Sequence, residues 1–351
     1  MGRKPKKPKK PKEKSPRFGI GEWYGIPVES LNAERRQQLG HEQSFPKKDR
    51  PAHECPFQAA KKGAICSKPG GVCSLKLYEH GEHLAENGKV RMKGVPALGD
   101  KGDLRCTCLY RFHEGLEVFK WVGEVILDDP SPEMVGEVGF LEASATTDAE
   151  GGDDVGRIDM VLVKSNSPDG HPLQWCAVEI QAVYFSGSAM TGEFKAYSDQ
   201  SVDWLIYPTA NRRPDYRSSG PKRLMPQLQI KVPTLRRWGK KMAVVVDRAF
   251  FNSMGQMDHV NDISNADIAW FVVRFEEQKG GPAKLVRDRV QFTTLERSVE
   301  GLTGGLPVTL SKFEERIVNK EAKGGAAADQ PHEVIAEETA SDTSEEATGS
   351  E

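Results

Sequence analysis

Apolar and polar positions alternate along this chain in two distinct rhythms. MAVVVD (242–247) and IAWFVVRF (268–275) are near-continuous apolar runs, which suit strands buried on both faces of a mixed sheet. RIDMVLV (157–163) and LQWCAVEIQAV (173–183) also read as strands, and the turn residues NSPDG (166–170) between them predict an antiparallel hairpin. In HEGLEVFKWVGEVILDD (113–129), Leu116, Phe119, Val122 and Ile126 recur at helical spacing. A second helix is expected through EMVGEVGFLEAS (133–144), ending near the polar stretch 146–156. RAFFNSMGQM (248–257) is expected to be a helix between the two apolar strands, and LSKFEERIVNK (310–320) an amphipathic one. Strands interspersed with helices make the chain α/β with a mixed central sheet.

Charge changes this picture only at the ends. Residues 1–17 carry nine Lys or Arg against one Glu, and residues 326–351 carry eight Asp or Glu and no Lys or Arg. Both ends are too polar to bury a core and are read as disordered tails. Their charges cancel, so the formal net charge of −2 also describes the chain between them and says little about partners. The basic tail, kept extended by its Pro-Lys repeat, doubles as a non-specific electrostatic handle for nucleic acid. No apolar segment follows it as in a signal peptide, and no run approaches transmembrane length, so a soluble cytoplasmic protein is expected.

Five of the six cysteines lie in one window: Cys55, Cys66, Cys73, Cys106 and Cys108. A cytosolic chain rarely keeps disulfides, so such a cluster points to metal or catalysis. Gly70 and Gly71 would let the backbone turn tightly before Cys73 and aim thiolates at one point. Four thiolates suit a tetrahedral zinc or a single iron; the competing reading is unconnected buried thiols. Cys176, beside Trp175, is read as a core thiol. His53, His80, His83 and His113 flank the region and are read as loop residues rather than ligands.

The strand around Cys176 poses a sharper question. Glu179 and Gln181 are two residues apart, so both side chains share one face of the strand among apolar neighbours. An isolated carboxylate there is costly and needs a partner, a metal or solvent. The hairpin would bring Asp159 beside them. An Asp on one strand and Glu-x-polar on the next is the donor set of a divalent-metal nuclease: the carboxylates hold Mg²⁺, and the third polar residue orients a water. Glu142 is the natural fourth member. The alternative is that Asp159 and Glu179 form ordinary hairpin ion pairs.

Taken together, these residues resemble the NotI-like type II restriction endonucleases, the EagI-type enzymes included. The resemblance rests on CPFQAAK (55–61), GVC (71–73), VEIQAVYFSGS (178–188), GPKRLMPQL (220–228) to KKMAVVVD (240–247), and NADIAWFVVRFE (265–276). It covers most of residues 50–280. It implies a PD-(D/E)xK nuclease acting as a homodimer that cuts both strands of a GC-rich palindrome with Mg²⁺, leaving 5′-phosphates. It also implies an iron held by four cysteines, with zinc as a possible substitute, and a cognate DNA methyltransferase in the same system. Position by position, Asp159, Glu179 and Gln181 match the catalytic motif, and Glu142 the upstream acid. The family pattern of Cys followed three residues later by Arg fits Cys108 with Arg111, which selects Cys108 over Cys106 beside Cys55, Cys66 and Cys73. Gln181 stands where the wider superfamily has Lys, and the family shares it; a neutral amide leaves more of the charge stabilisation to the metals.

Residues 209–241 hold ten Lys or Arg and one Asp. A solubilising face is one reading. With a GC-rich target the functional one is preferred, namely phosphate and guanine contacts by Arg212, Arg213, Arg217, Lys222, Arg223, Arg236 and Arg237. The expected organisation is a basic tail (1–20), a four-cysteine metal-binding region (21–112), a nuclease domain (113–323) and an acidic tail (324–351). Two other functions compete: a metal-finger DNA-binding protein without catalysis, and a repair or mobile-element nuclease on the same fold.

Overall fold

The computed structural model describes residues 15–58, 63–86, 89–142, 154–165, 172–199, 201–278, 281–304 and 308–324. Most of both charged tails and the turn expected at 166–170 therefore lie outside the described residues. The chain divides into two compact units, Met1–Gly305 and Leu306–Glu351.

The first unit opens with an antiparallel sheet. Strand β1 (Arg17–Trp23) turns into the short β2 (Ile26–Pro27) and also pairs with the long β3 (Val72–Glu86); β4 (Lys89–Pro96) and β5 (Arg105–Cys106) both pair with β3. The expected tail boundary at residue 20 is thus too late, because Ile20 is already a buried strand residue. Helix α1 (Ala33–Glu42), capped by the Asn32 side chain, packs on this sheet through Leu39.

The central sheet is mixed. It comprises β6 (Glu133–Val135), β9 (Met160–Val163), β10 (Trp175–Gln181), β13 (Met242–Asp247), β14 (Ile268–Gln278) and β15 (Gly281–Thr293), in the order β15-β14-β13-β10-β9-β6. The two apolar runs, β13 and β14, sit at its centre in parallel with β10, and β9 and β15 run antiparallel outside them. Helix α2 (Glu117–Val122) covers one face through Phe119 and Val122, beside Cys176 and Val178 of β10. The other face carries α5 (Met225–Arg237), α6 (Arg248–Ser253) and α7 (Leu295–Thr303), reached after α3 (Thr191–Ser198) and the single turn α4 (Tyr216–Ser219). α6 is shorter than the helix expected over 248–257.

The helix expected over 133–144 does not form. Its residues make β6 and a second strand, β7 (Val138–Glu142), which pairs with β8 (Asp154–Ile158). Gly136 and Gly139 would each cost a helix about 1 kcal/mol, and the strands on either side offer open edges instead. The strand expected over 157–163 is also interrupted. At Asp159 the chain leaves the β7–β8 pair and joins the central sheet as β9.

In the second unit, helix α8 (Leu310–Gly324) carries an exposed apolar stripe of Leu310, Phe313 and Ile317.

Candidate active site

Strand register assembles the site. β9 and β10 are antiparallel, with Met160 opposite Val178, so the next step brings Asp159 opposite Glu179. Along β10, Cys176 and Val178 face α2, whereas Ala177 and Val183 face α5. The period of two therefore sends Glu179 and Gln181 toward α5. That helix answers with a cation. Its inward face is Leu228, Lys231, Val232 and Leu235, and the Lys231 Nζ lies 2.7 Å from Glu179 Oε2 and 3.5 Å from Asp159 Oδ1.

The three charges differ in exposure. The side chains of Lys231 and Glu179 are 3% and 8% exposed, and that of Asp159 is 62% exposed. The site is thus a buried ion pair with a second carboxylate at its mouth. Burial pushes the Glu179 carboxyl up, Lys231 pulls it back, and the nearby Asp159 raises it again, with a net rise. Gln181 is buried beyond Glu179 and donates from Nε2 to the Ala182 carbonyl at 2.6 Å. Glu142 ends β7, opposite Asp154, rather than standing on a helix; its side chain lies outside the described residues.

Past Gln181 the chain is stitched to the basic segment. β11 (Phe185–Gly187) pairs with β12 (Arg212–Pro214), and the Tyr184 N–H donates to Ser219 Oγ at 2.9 Å. Arg213, Arg217, Lys222 and Arg223 follow this stitch as exposed residues, and Arg237 is exposed at the end of α5. The Arg223 guanidinium lies 3.7 Å over the half-exposed Tyr184 ring and donates to its hydroxyl. Two expected DNA contacts are already committed. Arg212 is buried, donating to Glu193 Oε1 at 2.6 Å and to the carbonyls of Ser188 and Ala189, so it braces the loop instead of facing solvent. Arg236 is half-exposed but paired with Asp267 and Glu296.

The cysteines separate into one group and two singles. Glu54 bridges Ile65, and the backbone N–H groups of Cys55 and Cys66 donate to Ala64 and His53, which sets these two cysteines side by side. The β3–β5 pairing, Ser74 opposite Cys106, brings Cys73 and Cys108 together. Cys55, Cys73 and Cys108 pack with Phe57 and Tyr110, and Cys66 lies within electrostatic reach of all three. Gly70 and Gly71 both have positive φ, and a Cβ on Gly71 would lie 2.3 Å from the Tyr24 ring. Cys106 points away, into the core beside α2, its thiol donating to the Cys108 carbonyl at 3.1 Å. Cys176 is buried in the same core, its thiol pushed up to about 12. Burial also raises Cys66 and Cys73, helped at Cys73 by the Glu22 carboxylate and then by neighbouring thiols, and at Cys66 by Cys55 and Cys108 against a backbone hydrogen bond that lowers it. His53 is engaged by Glu42 at 2.7 Å.

Four thiols in one cluster fit the donor chemistry of a thiophilic ion. Among the described residues, however, no three His, Cys, Asp or Glu side chains stand in a metal-holding arrangement. Asp159 and Glu179 offer two carboxylates, a number that suits a Mg²⁺ completed by water and a phosphate. A cavity of about 510 Å³ separates the two regions, lined by Cys108, Tyr110, Gln181, Tyr184 and Arg212.

A family model described as Restriction endonuclease NotI matches residues 38–285, a span containing the thiol cluster, the carboxylates and the basic segment. The chain belongs to the NotI restriction endonuclease family. No curated protein matches it. Membership of the NotI family makes the protein a site-specific deoxyribonuclease acting on double-stranded DNA, which sets aside the DNA-binding protein without catalysis. Among the described residues no helix is long and apolar enough to cross a membrane.

No site role is read for Lys231 from the sequence, where it is one basic residue among ten, yet Leu228 three positions before and Leu235 four after place it on the buried face of α5. A lysine inside an apolar helical stripe is the signal that was present.

Proposed function

We propose that this NotI-family protein is a type II restriction endonuclease of the PD-(D/E)xK type. It hydrolyses both strands of a GC-rich palindrome as a homodimer with Mg²⁺, leaving 5′-phosphates, and is accompanied by a cognate methyltransferase. One observation carries the reading: Asp159, exposed at the point where the chain changes sheets, sits one residue beyond the Met160–Val178 end of the β9–β10 ladder and shares the Lys231 ammonium with Glu179, beside a basic, exposed segment. Asp159 and Glu179 would hold Mg²⁺, which when bound supplies Lewis acidity and a more acidic water. Gln181 orients the attacking water, and Glu142 is the upstream acid. Water oxygen bonds to phosphorus, the P–O3′ bond breaks, the 3′ oxygen gains a proton and the phosphate stays on the 5′ end. Arg213, Arg217, Lys222, Arg223 and Arg237 contact DNA. Two-fold symmetry in the dimer matches the symmetry of a palindrome.

For the thiol cluster, Cys55, Cys66, Cys73 and Cys108 would hold one iron, or zinc in its place, as thiolates. The nuclease reading is tested with Asp159→Ala in a plasmid cleavage assay with Mg²⁺, the ends of the parent's products being sequenced. Cleavage should fall by about 10³-fold or more while binding to the duplex persists, because a metal-bearing carboxylate contributes several kcal/mol to the barrier. Cutting at the parent rate would remove the assignment of this hairpin.

A further inference from the structure

We propose that Lys231 is a residue of the cleavage site, supplying from helix α5 the fixed positive charge that Gln181 on β10 does not carry. The inference rests on the assignment of Asp159 and Glu179 above. Three observations support it. The Lys231 side chain is 3% exposed, and its ammonium lies 2.7 Å from Glu179 and 3.5 Å from Asp159. An ammonium has three N–H donors, and these two carboxylates are its only partners among the described residues, which leaves a donor for a third oxygen at the mouth of the site. Finally, the Gln181 Nε2 donates to the Ala182 carbonyl, so this side chain brings the water an acceptor oxygen and no cation.

Geometry and helix rhythm explain why the lysine stands here. Glu179 and Gln181 share the face of β10 that α5 covers, and position 231 is where the apolar stripe of α5 passes over Glu179. A lysine at 181 would approach the same space from the strand; at 231 it approaches from the helix. Its third oxygen is the attacking water. As that water gives up a proton to bulk solvent and bonds to phosphorus, the ammonium's fixed charge stabilises the developing hydroxide and is not consumed. A fixed cation aimed at developing charge contributes without reorganising in the reaction.

A lysine that only props the carboxylates apart would look similar in a static structure, so the test separates the two roles. Lys231→Met, Gln181→Lys with Lys231→Met, and Asp159→Ala are compared in plasmid cleavage with Mg²⁺, and Ca²⁺ binding to each is measured by calorimetry. Lys231→Met should cut on the order of 10²-fold more slowly or worse, as does loss of one preorganised donor. It should bind Ca²⁺ as tightly as the parent or tighter, since a competing cation has gone. Adding Gln181→Lys should restore cleavage at least about tenfold, because the charge returns from the strand side.

Lys231→Met cutting within about threefold of the parent while Asp159→Ala is dead would overturn the lysine role and leave the nuclease reading standing. Loss of Ca²⁺ binding in Lys231→Met with no rescue by Gln181→Lys would reduce Lys231 to a structural prop. If Lys231→Met unfolds, the double variant decides alone: Ca²⁺ binding with cleavage within about tenfold of the parent supports the role, and a folded double variant without cleavage sinks it. Asp159→Ala cutting at the parent rate is the separate result that would remove both readings.

Discussion

Two buried ion pairs in this molecule look alike in a contact diagram and differ in what they leave open. In the first, Arg111 and Glu22 have fully buried side chains. Every Arg111 nitrogen is used: Nε donates to Glu22, Nη1 to Glu114 and Nη2 to the Ala283 carbonyl of β15 at 2.7 Å. Phe57 and Phe275 lie 4.5 and 4.4 Å from the guanidinium, and Ser74 donates to Glu22 Oε2. With both side chains fully enclosed, no side of this pair is open to a ligand. In the second pair, Lys231 meets Glu179 under an exposed Asp159, and a donor is left over. Enclosure marks the first as a strut joining the cysteine-bearing segment to the central sheet; the second opens to solvent through Asp159, which is what the proposed cleavage site needs.

Breaking each pair should therefore move a different observable. At the open pair, Asp159→Ala should remove about 10³-fold or more of the cleavage rate with little change in unfolding temperature, since that side chain is mostly exposed. At the closed pair, Arg111→Met should leave Glu22 buried without its partner and cost about 3–5 kcal/mol, roughly 10 °C in a thermal melt. The surviving folded fraction should still cut. If Arg111→Met melts like the parent, enclosure is not what distinguishes the two.

The thiol cluster sharpens the comparison, because Arg111 also stacks on Phe57 beside it. If the cluster holds the proposed metal, Cys108→Ser should lose it, measured by elemental analysis, and destabilise the N-terminal region, since metal binding would then also be folding energy. Cys106→Ser should keep the metal, because its thiol faces the core beside α2. The reverse pattern would mean that the wrong thiol has been assigned.

The smallest expected effect concerns a lone buried carboxylate, Asp247, which caps α6 through the Phe250 N–H at 2.7 Å and accepts from the Cys106 N–H at 3.0 Å. Burial pushes it up to about 6 in spite of those two bonds. A carboxyl raised on folding contributes stability that is full below its unfolded value near 4 and is lost as pH rises through 6. Its contribution should therefore grow by about 1.4 kcal/mol between pH 7.5 and pH 5. Asp247→Asn lacks that gain, so melts of the two proteins should diverge as pH falls; a constant gap would show that the carboxyl does not titrate in this range.

The strands with strong periodicity, β10, β13 and β14, are legible from the residues alone, because their apolar runs leave no other burial pattern. So is the placement of Glu179 and Gln181 on one face, since side-chain alternation in a strand is fixed. The family resemblance, carried by short motifs, agrees with the family matched over 38–285. Elsewhere sequence-local reasoning failed for identifiable reasons. Residues 133–144 have apolar spacing compatible with either period, and only neighbouring strand edges, distant in sequence, made them β6 and β7. Arg212 reads as a solvent-facing base contact until Glu193 is folded against it, 19 residues away. Lys231 is 52 residues from Glu179, and no pattern within α5 names its partner. Local periodicity fixes which face a side chain takes; what stands opposite that face depends on long-range packing, which no local pattern encodes.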